Sequence, residues 1–318
     1  MRILIIGLGS IGKRHAEIFS KEYSDFEIFA LRSENKEDAD NIQNVKFVYD
    51  EDEAFSYKPD IVFVTNPTCL HIDMALIAAK NRCNLFLEKP LSNNLENIDE
   101  LITLVKENKL ITLMGCNMRY NPIVLDIKKY VDEKLFGEVL SFNIKCGSYL
   151  PDWRPTQDYT KSYSASKKMG GGVVLDLIHE IDYAKWIFGD FIDFKSIVGK
   201  ISDLEIDTED YADIIVKTNK NISGMIHLDY YRKISERKIE VVFQNGILIG
   251  DLINNNLTLL TKERNETITY NFQRNYMYEE QLKYFVSCII DNKQTFNDVQ
   301  EGYNTLKLAL KIKENGLI

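Results

Sequence analysis

The chain opens on an apolar run, Ile3-Leu4-Ile5-Ile6, that passes directly into Gly7-Leu8-Gly9-Ser10-Ile11-Gly12. A strand apolar at every position is buried on both faces, as in a parallel sheet covered by helices. The glycines meet three separate needs: Gly7 permits the tight turn, Gly9 lets the backbone approach a pyrophosphate, and Gly12 lets the following helix pack on the strand. The helix beginning near Ser10 and Ile11 then offers free N–H groups to phosphate oxygens. A bare structural turn is the alternative, but strand before and helix after favour a dinucleotide site.

Over the first third, apolar strands at 27–31, 45–49, 61–65, 84–87 and 111–115 alternate with helical stretches at 11–20, 70–80 and 95–107. That alternation predicts an α/β Rossmann domain with a doubly wound parallel sheet over 1–119. The pattern then changes. A helix at 123–133, a polar loop at 149–172 and a helix at 173–188 precede seven strand-like runs, at 194–199, 211–217, 222–231, 238–243, 246–250, 257–261 and 267–272. Gln244-Asn245-Gly246 is a hairpin signal. The second domain, 120–318, is therefore expected to be α+β with a large, mainly antiparallel open sheet. Two helices, at 279–291 and 299–314, close the chain, and the last is free to pack back on the first domain.

Two domains suit 318 residues. A net charge of −9 disfavours nucleic acid as a partner, and no apolar run approaches the ~18 residues of a membrane helix. The five cysteines are odd in number and widely spaced, which suggests neither a disulfide framework nor a metal site. The apolar start is too short for a secretory signal, so a cytoplasmic protein is expected. A broad sheet with one uncovered face favours a homodimer or homotetramer.

Several side chains carry candidate chemistry. At the tip of the second strand, where NAD enzymes place an acid and NADP enzymes a base, stand Arg32 and Ser33, with Glu34 the nearest carboxylate; this leans the cofactor reading of NAD(P) to NADP. Lys89 follows a buried strand at the carboxyl edge of the sheet, where ligands bind in doubly wound folds, and is suited to proton transfer. Its bland alternative is a surface lysine paired with Glu88. His71 is either a helix-start residue near the nicotinamide or an exposed histidine. Trp153 and Arg154 suit stacking on a ring and holding a phosphate or carboxylate, or else simple loop packing. In the 173–188 helix, Val174, Leu177, Ile178, Ile181 and Phe188 form an apolar stripe. Asp176, His179, Tyr183 and Trp186 lie opposite, lining either a cleft or an aromatic-rich subunit contact.

Taken in order, the glycine fingerprint, Asn66-Pro67-Thr68 with His71, Glu88-Lys89-Pro90, and Gly170-Gly171-Gly172 followed by Asp176 and His179 resemble the glucose–fructose oxidoreductase/inositol dehydrogenase (Gfo/Idh/MocA) family over nearly the whole chain. The resemblance implies that Lys89 is the catalytic group beside the nicotinamide. It also implies that Asp176 and His179 face the substrate, and that Asn117 and Arg119, in a segment similar to the family's crossover between domains, stand near the cofactor. Asn66, Pro67, Thr68, His71 and Glu88 join the cofactor set. The commoner family spacing places the Asp four residues before the His; here it is three. The loop with Trp153, Arg154 and Tyr163 is similar to a subgroup associated with surface-sugar biosynthesis. The implied activity is hydride transfer between a nicotinamide and a hydroxyl or keto carbon of a sugar, amino sugar or cyclitol, with Lys89 or His179 moving the proton. The alternatives are a glycoside hydrolase or lyase working by transient oxidation with retained NAD, and a non-catalytic dinucleotide or sugar sensor.

Overall fold

The computed structural model describes residues 1–33 and 42–316, so Glu34 lies outside the described residues. The chain forms two compact units, one of Met1–Gly115 with Tyr278–Leu306, the other of Cys116–Met277 with the residues from Lys307 on.

The first unit is built from β1 (Arg2–Ile6), α1 (Ser10–Glu22), β2 (Glu27–Leu31), β3 (Val45–Val48), α2 (Glu51–Ser56), β4 (Ile61–Val64), α3 (His71–Lys80), β5 (Asn84–Leu87), α4 (Ile98–Glu107) and β6 (Thr112–Met114). The six strands are all parallel, in the order β3-β2-β1-β4-β5-β6. Ile3, Leu4, Ile5, Ile61, Val62, Phe63 and Val64 are wholly buried, as continuous apolar strands between helical layers must be. One face of this sheet packs Ile3, Ile5, Phe63, Phe86 and Leu113 against Phe19 of α1 and against Leu282, Phe285 and Val286 near the chain's end.

The second unit contains α5 (Pro122–Asp132), β7 (Val139–Gly147), α6 (Val173–Asp176), α7 (Ile178–Phe188), β8 (Phe191–Gly199), β9 (Tyr211–Thr218), β10 (Ser223–Asp229), β11 (Glu236–Phe243), β12 (Ile247–Asp251), β13 (Asn256–Leu260) and β14 (Asn265–Thr269). Then follow α8 (Tyr276–Ile290) and α9 (Val299–Gly316), most of α8 and the start of α9 belonging to the first unit. The second sheet has eight strands, β14-β13-β12-β11-β7-β10-β9-β8. The seven expected runs are present; β7 is the addition. It sits mid-sheet, antiparallel to β11 and parallel to β10. Its inward residues Phe142, Ile144 and Cys146 are buried at period two, and Phe142 stacks on Phe188 of α7 with ring centroids 4.1 Å apart.

The expected single helix over 173–188 is two. Leu177, at φ −97° and ψ 29°, breaks it between α6 and α7. The stripe of Val174, Leu177, Ile178, Ile181 and Phe188 is buried as expected, but Tyr183 does not line an open face. It is fully buried, beside the equally buried Glu180. Among the described residues, no helix is long and apolar enough to cross a membrane.

Candidate active site

In the first unit the glycine turn leaves β1 and enters α1. Gly7 takes φ +90°, and a Cβ there would meet the Asn66 backbone at 2.7 Å. At Gly12 a Cβ would meet the Gly7 carbonyl oxygen at 2.0 Å, so helix and turn can touch only because that position is glycine. Thr65 locks the turn by donating to the Gly7 carbonyl at 2.7 Å and the Ile6 carbonyl at 3.0 Å. Above Gly9 there is open space: nothing lies within 4 Å of the position a Cβ would take. Gly9 is the N-cap of α1 and no side chain caps it. Open space at the positive end of a thirteen-residue helix fits a pyrophosphate. Ser10 and Ile11, the first two helical residues, would present their N–H groups to it.

At the tip of β2 the Arg32 N–H donates to the Val48 carbonyl at 2.9 Å, while its guanidinium lies 5.8 Å from the centre of the Phe47 ring. Ser33 beside it is exposed.

His71 opens α3, as one expected alternative had it, and is not the exposed histidine of the other. It is buried, with ring nitrogens 2.9 Å from the carbonyl oxygens of Asn66 and Pro90. Burial is the dominant influence and holds its imidazole below the ordinary histidine value. The ring thus ties the Asn66-Pro67-Thr68 turn after β4 to the Glu88-Lys89-Pro90 turn after β5. Thr68 is buried there and Pro67 exposed. The Glu88 carboxylate turns inward to His15 Nε2 at 2.9 Å, and its other oxygen accepts from the Lys89 N–H at 3.3 Å. His15, wholly buried between Phe63 and Phe86, is a structural partner that its place in a helix gave no reason to single out. Lys89 itself is half-buried, and the Lys89-Pro90 peptide is cis.

In the second unit, Asp176 is buried and its Oδ2 accepts from the Tyr230 hydroxyl at 2.5 Å. Burial first, then the Asp176 charge, pushes the Tyr230 phenol well above its usual value. The Asp176 charge, then burial, does the same to Tyr163. Both tyrosines therefore stay protonated and can donate to that carboxylate. Tyr230 lies just past β10 and was not singled out from the sequence; an aromatic pair, Tyr230-Tyr231, ending an apolar strand was the signal available. Trp153 packs edge-on to Tyr230 at 5.3 Å and donates to the Ser148 hydroxyl at 2.7 Å. Arg154, exposed, holds its guanidinium 5.8 Å from the Tyr163 ring centre. His179 is half-buried in the first turn of α7. Because the helix breaks at Leu177, the helical i,i+3 relation expected for Asp176 and His179 does not apply; the carboxylate ends one helix and the imidazole begins the next.

Asn117 and Arg119 are both buried. Arg119 places its guanidinium against Asp182, Nε to Oδ2 at 2.8 Å and Nη2 to Oδ1 at 2.7 Å, with both side chains 2% exposed.

A separate polar network crosses the second sheet. His227 Nδ1 lies 2.7 Å from Asp213 and Nε2 3.0 Å from Asp229, which also accepts from Arg232 Nε at 2.9 Å. Only the imidazolium donates to both carboxylates, and the Asp229 hydrogen bond is foremost in raising the His227 pKa. A group whose folded pKa is raised stabilises fully below its unfolded value, about 6.5 for histidine, and that stabilisation fades as pH rises through the folded value. The wild-type melting temperature should therefore fall across that window by more than that of a His227→Gln variant. Parallel slopes in thermal scans at stepped pH would show that the histidine contributes nothing.

Residues 1–116 match the GFO/IDH/MocA oxidoreductase family, NAD-binding Rossmann fold, and residues 124–249 match the GFO/IDH/MocA C-terminal domain. The chain belongs to the GFO/IDH/MocA family. It is an oxidoreductase, and the dinucleotide suited to its glycine turn is of the nicotinamide type. Among relatives, myo-inositol 2-dehydrogenase of Thermotoga maritima is 27% identical over 99% of this chain and 96% of that protein. The 2,7-anhydro-N-acetylneuraminate hydratase of Escherichia coli is 28% identical over 44% of this chain and 36% of that protein. A levoglucosan dehydrogenase solved with NADH and levoglucosan shares the fold, with a TM-score of 0.87 at 17% identity over 99% of this chain and 96% of that one.

Proposed function

We propose that this GFO/IDH/MocA enzyme is an NAD(P)-dependent dehydrogenase or reductase acting at a CH–OH carbon of a sugar, amino sugar or cyclitol. In this reading the first unit binds the dinucleotide and the second binds substrate. The supporting observation is the place of Lys89. It stands just past β5, two strands from the glycine turn on the same carboxyl edge, roughly 10 Å away by inter-strand spacing. The nucleotide, when bound, supplies the hydride acceptor or donor. Lys89 moves the proton of the substrate hydroxyl, its loop fixed by the His71 bridge. Asp176, held by Tyr230, and His179 bind or polarise substrate hydroxyls, with Trp153, Arg154 and Tyr163 near them. Asn66, Pro67, Thr68, Glu88, Asn117 and Arg119 shape the cofactor's surroundings, the last three from buried positions. The test is turnover of a panel of hexoses, hexosamines and inositols, followed by reduced-nicotinamide absorbance. No absorbance change with any of them, in either direction, would overturn the reading.

Arg32 and Ser33 favour the 2′-phosphate of NADP, although the levoglucosan enzyme was solved with NADH. Fluorescence titration should give tighter NADPH than NADH binding, with the preference lost in Arg32→Glu. Equal affinities before and after substitution would remove Arg32 from cofactor choice. The hydratase relative supports a second reading, a lyase or hydrolase with retained nucleotide, which releases product with no net absorbance change. A sensor would bind without turnover. The second sheet exposes Leu140, Ile192, Ile215 and Met225, a surface suited to another copy of the chain. Sedimentation velocity at micromolar protein should show a dimer or tetramer; a monomer would refute that assembly.

A further inference from the structure

Within the second unit lies a cavity of about 390 Å³ that none of the assignments above uses, lined in part by Tyr149, Tyr159, Tyr231, Ser202, Asp203 and Lys233. Its volume falls in the range of small-molecule sites, ~300–1,000 Å³. Tyr159 also lines a smaller neighbouring cavity together with Trp153 and Arg154. Trp153 packs on Tyr230, and Tyr230 is bonded to Asp176. Asp176 and both cavities thus belong to one unit, with Trp153 touching Tyr230 on one side and lining the smaller cavity on the other.

The lining selects a ligand chemistry. Tyr159 and Tyr231 offer phenol rings, Ile201 and Leu204 add aliphatic surface, and Lys233 Nζ lies over the Tyr149 ring, 3.0 Å from its centre. Asp203 adds an acceptor where Lys233 adds a donor. Ser202 is already committed, its hydroxyl donating to Asp210 Oδ2 at 2.5 Å. An apolar ligand would strip water from the lysine and the carboxylate with no return, and an anion would meet Asp203. A neutral pyranose meets neither objection: its C–H face lies on a phenol ring, and its vicinal hydroxyls find one donor and one acceptor. We propose that this cavity holds a second, neutral sugar ring, so that the substrate is an oligosaccharide or glycosyl conjugate rather than a free monosaccharide or cyclitol. The proposal rests on the sugar-directed reading above and narrows it.

The experiment is an array of neutral hexose and N-acetylhexosamine mono-, di- and trisaccharides, probed with the full chain and with Tyr231→Ala and Lys233→Ala variants whose melting temperatures match the wild type. Binding should favour some glycans of two or more rings and fall about tenfold in each variant, the loss expected of one aromatic or charged contact. No glycan binding, equal binding of single rings, or undiminished binding by both variants would each overturn the proposal. Glycan binding that depends on Tyr231 and Lys233 in a protein that oxidises nothing would instead sink the dehydrogenase reading and spare the cavity. Turnover of free cyclitols without any glycan binding would do the reverse.

Discussion

Replacing Lys89 with alanine should lower kcat by about 10²–10⁴, the range that a positioned proton-transfer group contributes, while the dinucleotide dissociation constant stays nearly unchanged. The reasoning separates two functions of one sheet edge. Nucleotide binding rests on backbone: the Gly7 turn, the space above Gly9 and the uncapped start of α1. None of these involves the Lys89 side chain. Proton transfer needs a group that both gives and takes a proton, so Lys89→Arg should not restore turnover, since a guanidinium holds its proton. The loop's shape is held independently, by His71 bridging Asn66 and Pro90 and by Glu88 bonded to His15. A fall in kcat with intact nucleotide affinity therefore reports chemistry. Undiminished turnover would place the proton elsewhere, with His179 the next candidate. Loss of nucleotide affinity in step with kcat would make Lys89 a binding group.

The first unit's sheet was legible because parallel strands buried on both faces must be apolar at every position, and nothing but strands of such length fits between the helical stretches. The glycine turn was legible for a related reason: its needs are local and each falls on one residue. The second unit yielded less. β7 places only Phe142, Ile144 and Cys146 inward, between Ser141, Asn143 and Lys145, and that half-polar pattern is far fainter than a buried run. Its parallel partner β10 lies some eighty positions on, a pairing no local signal encodes. The break at Leu177 is equally hidden, since leucine is a good helix former. Asp176 was found through its neighbours in sequence, whereas Tyr230, which holds it, is 54 residues away. Arg119 shows the converse: a residue singled out for the cofactor proves to be engaged, deep in its own unit, with an aspartate 63 positions along the chain.

That engagement carries the second large effect. Asp182→Ala should destabilise the protein by about 3–5 kcal/mol, because it leaves the Arg119 charge buried with its principal partner gone. The pair is bidentate, with two charge-assisted hydrogen bonds of 2.7 and 2.8 Å, and both side chains are 2% exposed, out of reach of bulk solvent. Trp186, whose ring centre lies 5.3 Å from the guanidinium, offers only its π face in compensation. The cost lies in a buried charge that has lost its bidentate acceptor rather than in the worth of the pair. An Arg119→Met, Asp182→Leu double variant should therefore recover most of the loss, as apolar replacements of buried ion pairs commonly do. Urea denaturation of wild type, both single variants and the double variant closes the cycle. If the double variant proved as unstable as Asp182→Ala, the damage would come from packing around α7. If Arg119→Met kept full stability yet lost nucleotide affinity, the arginine would serve the cofactor and not the fold.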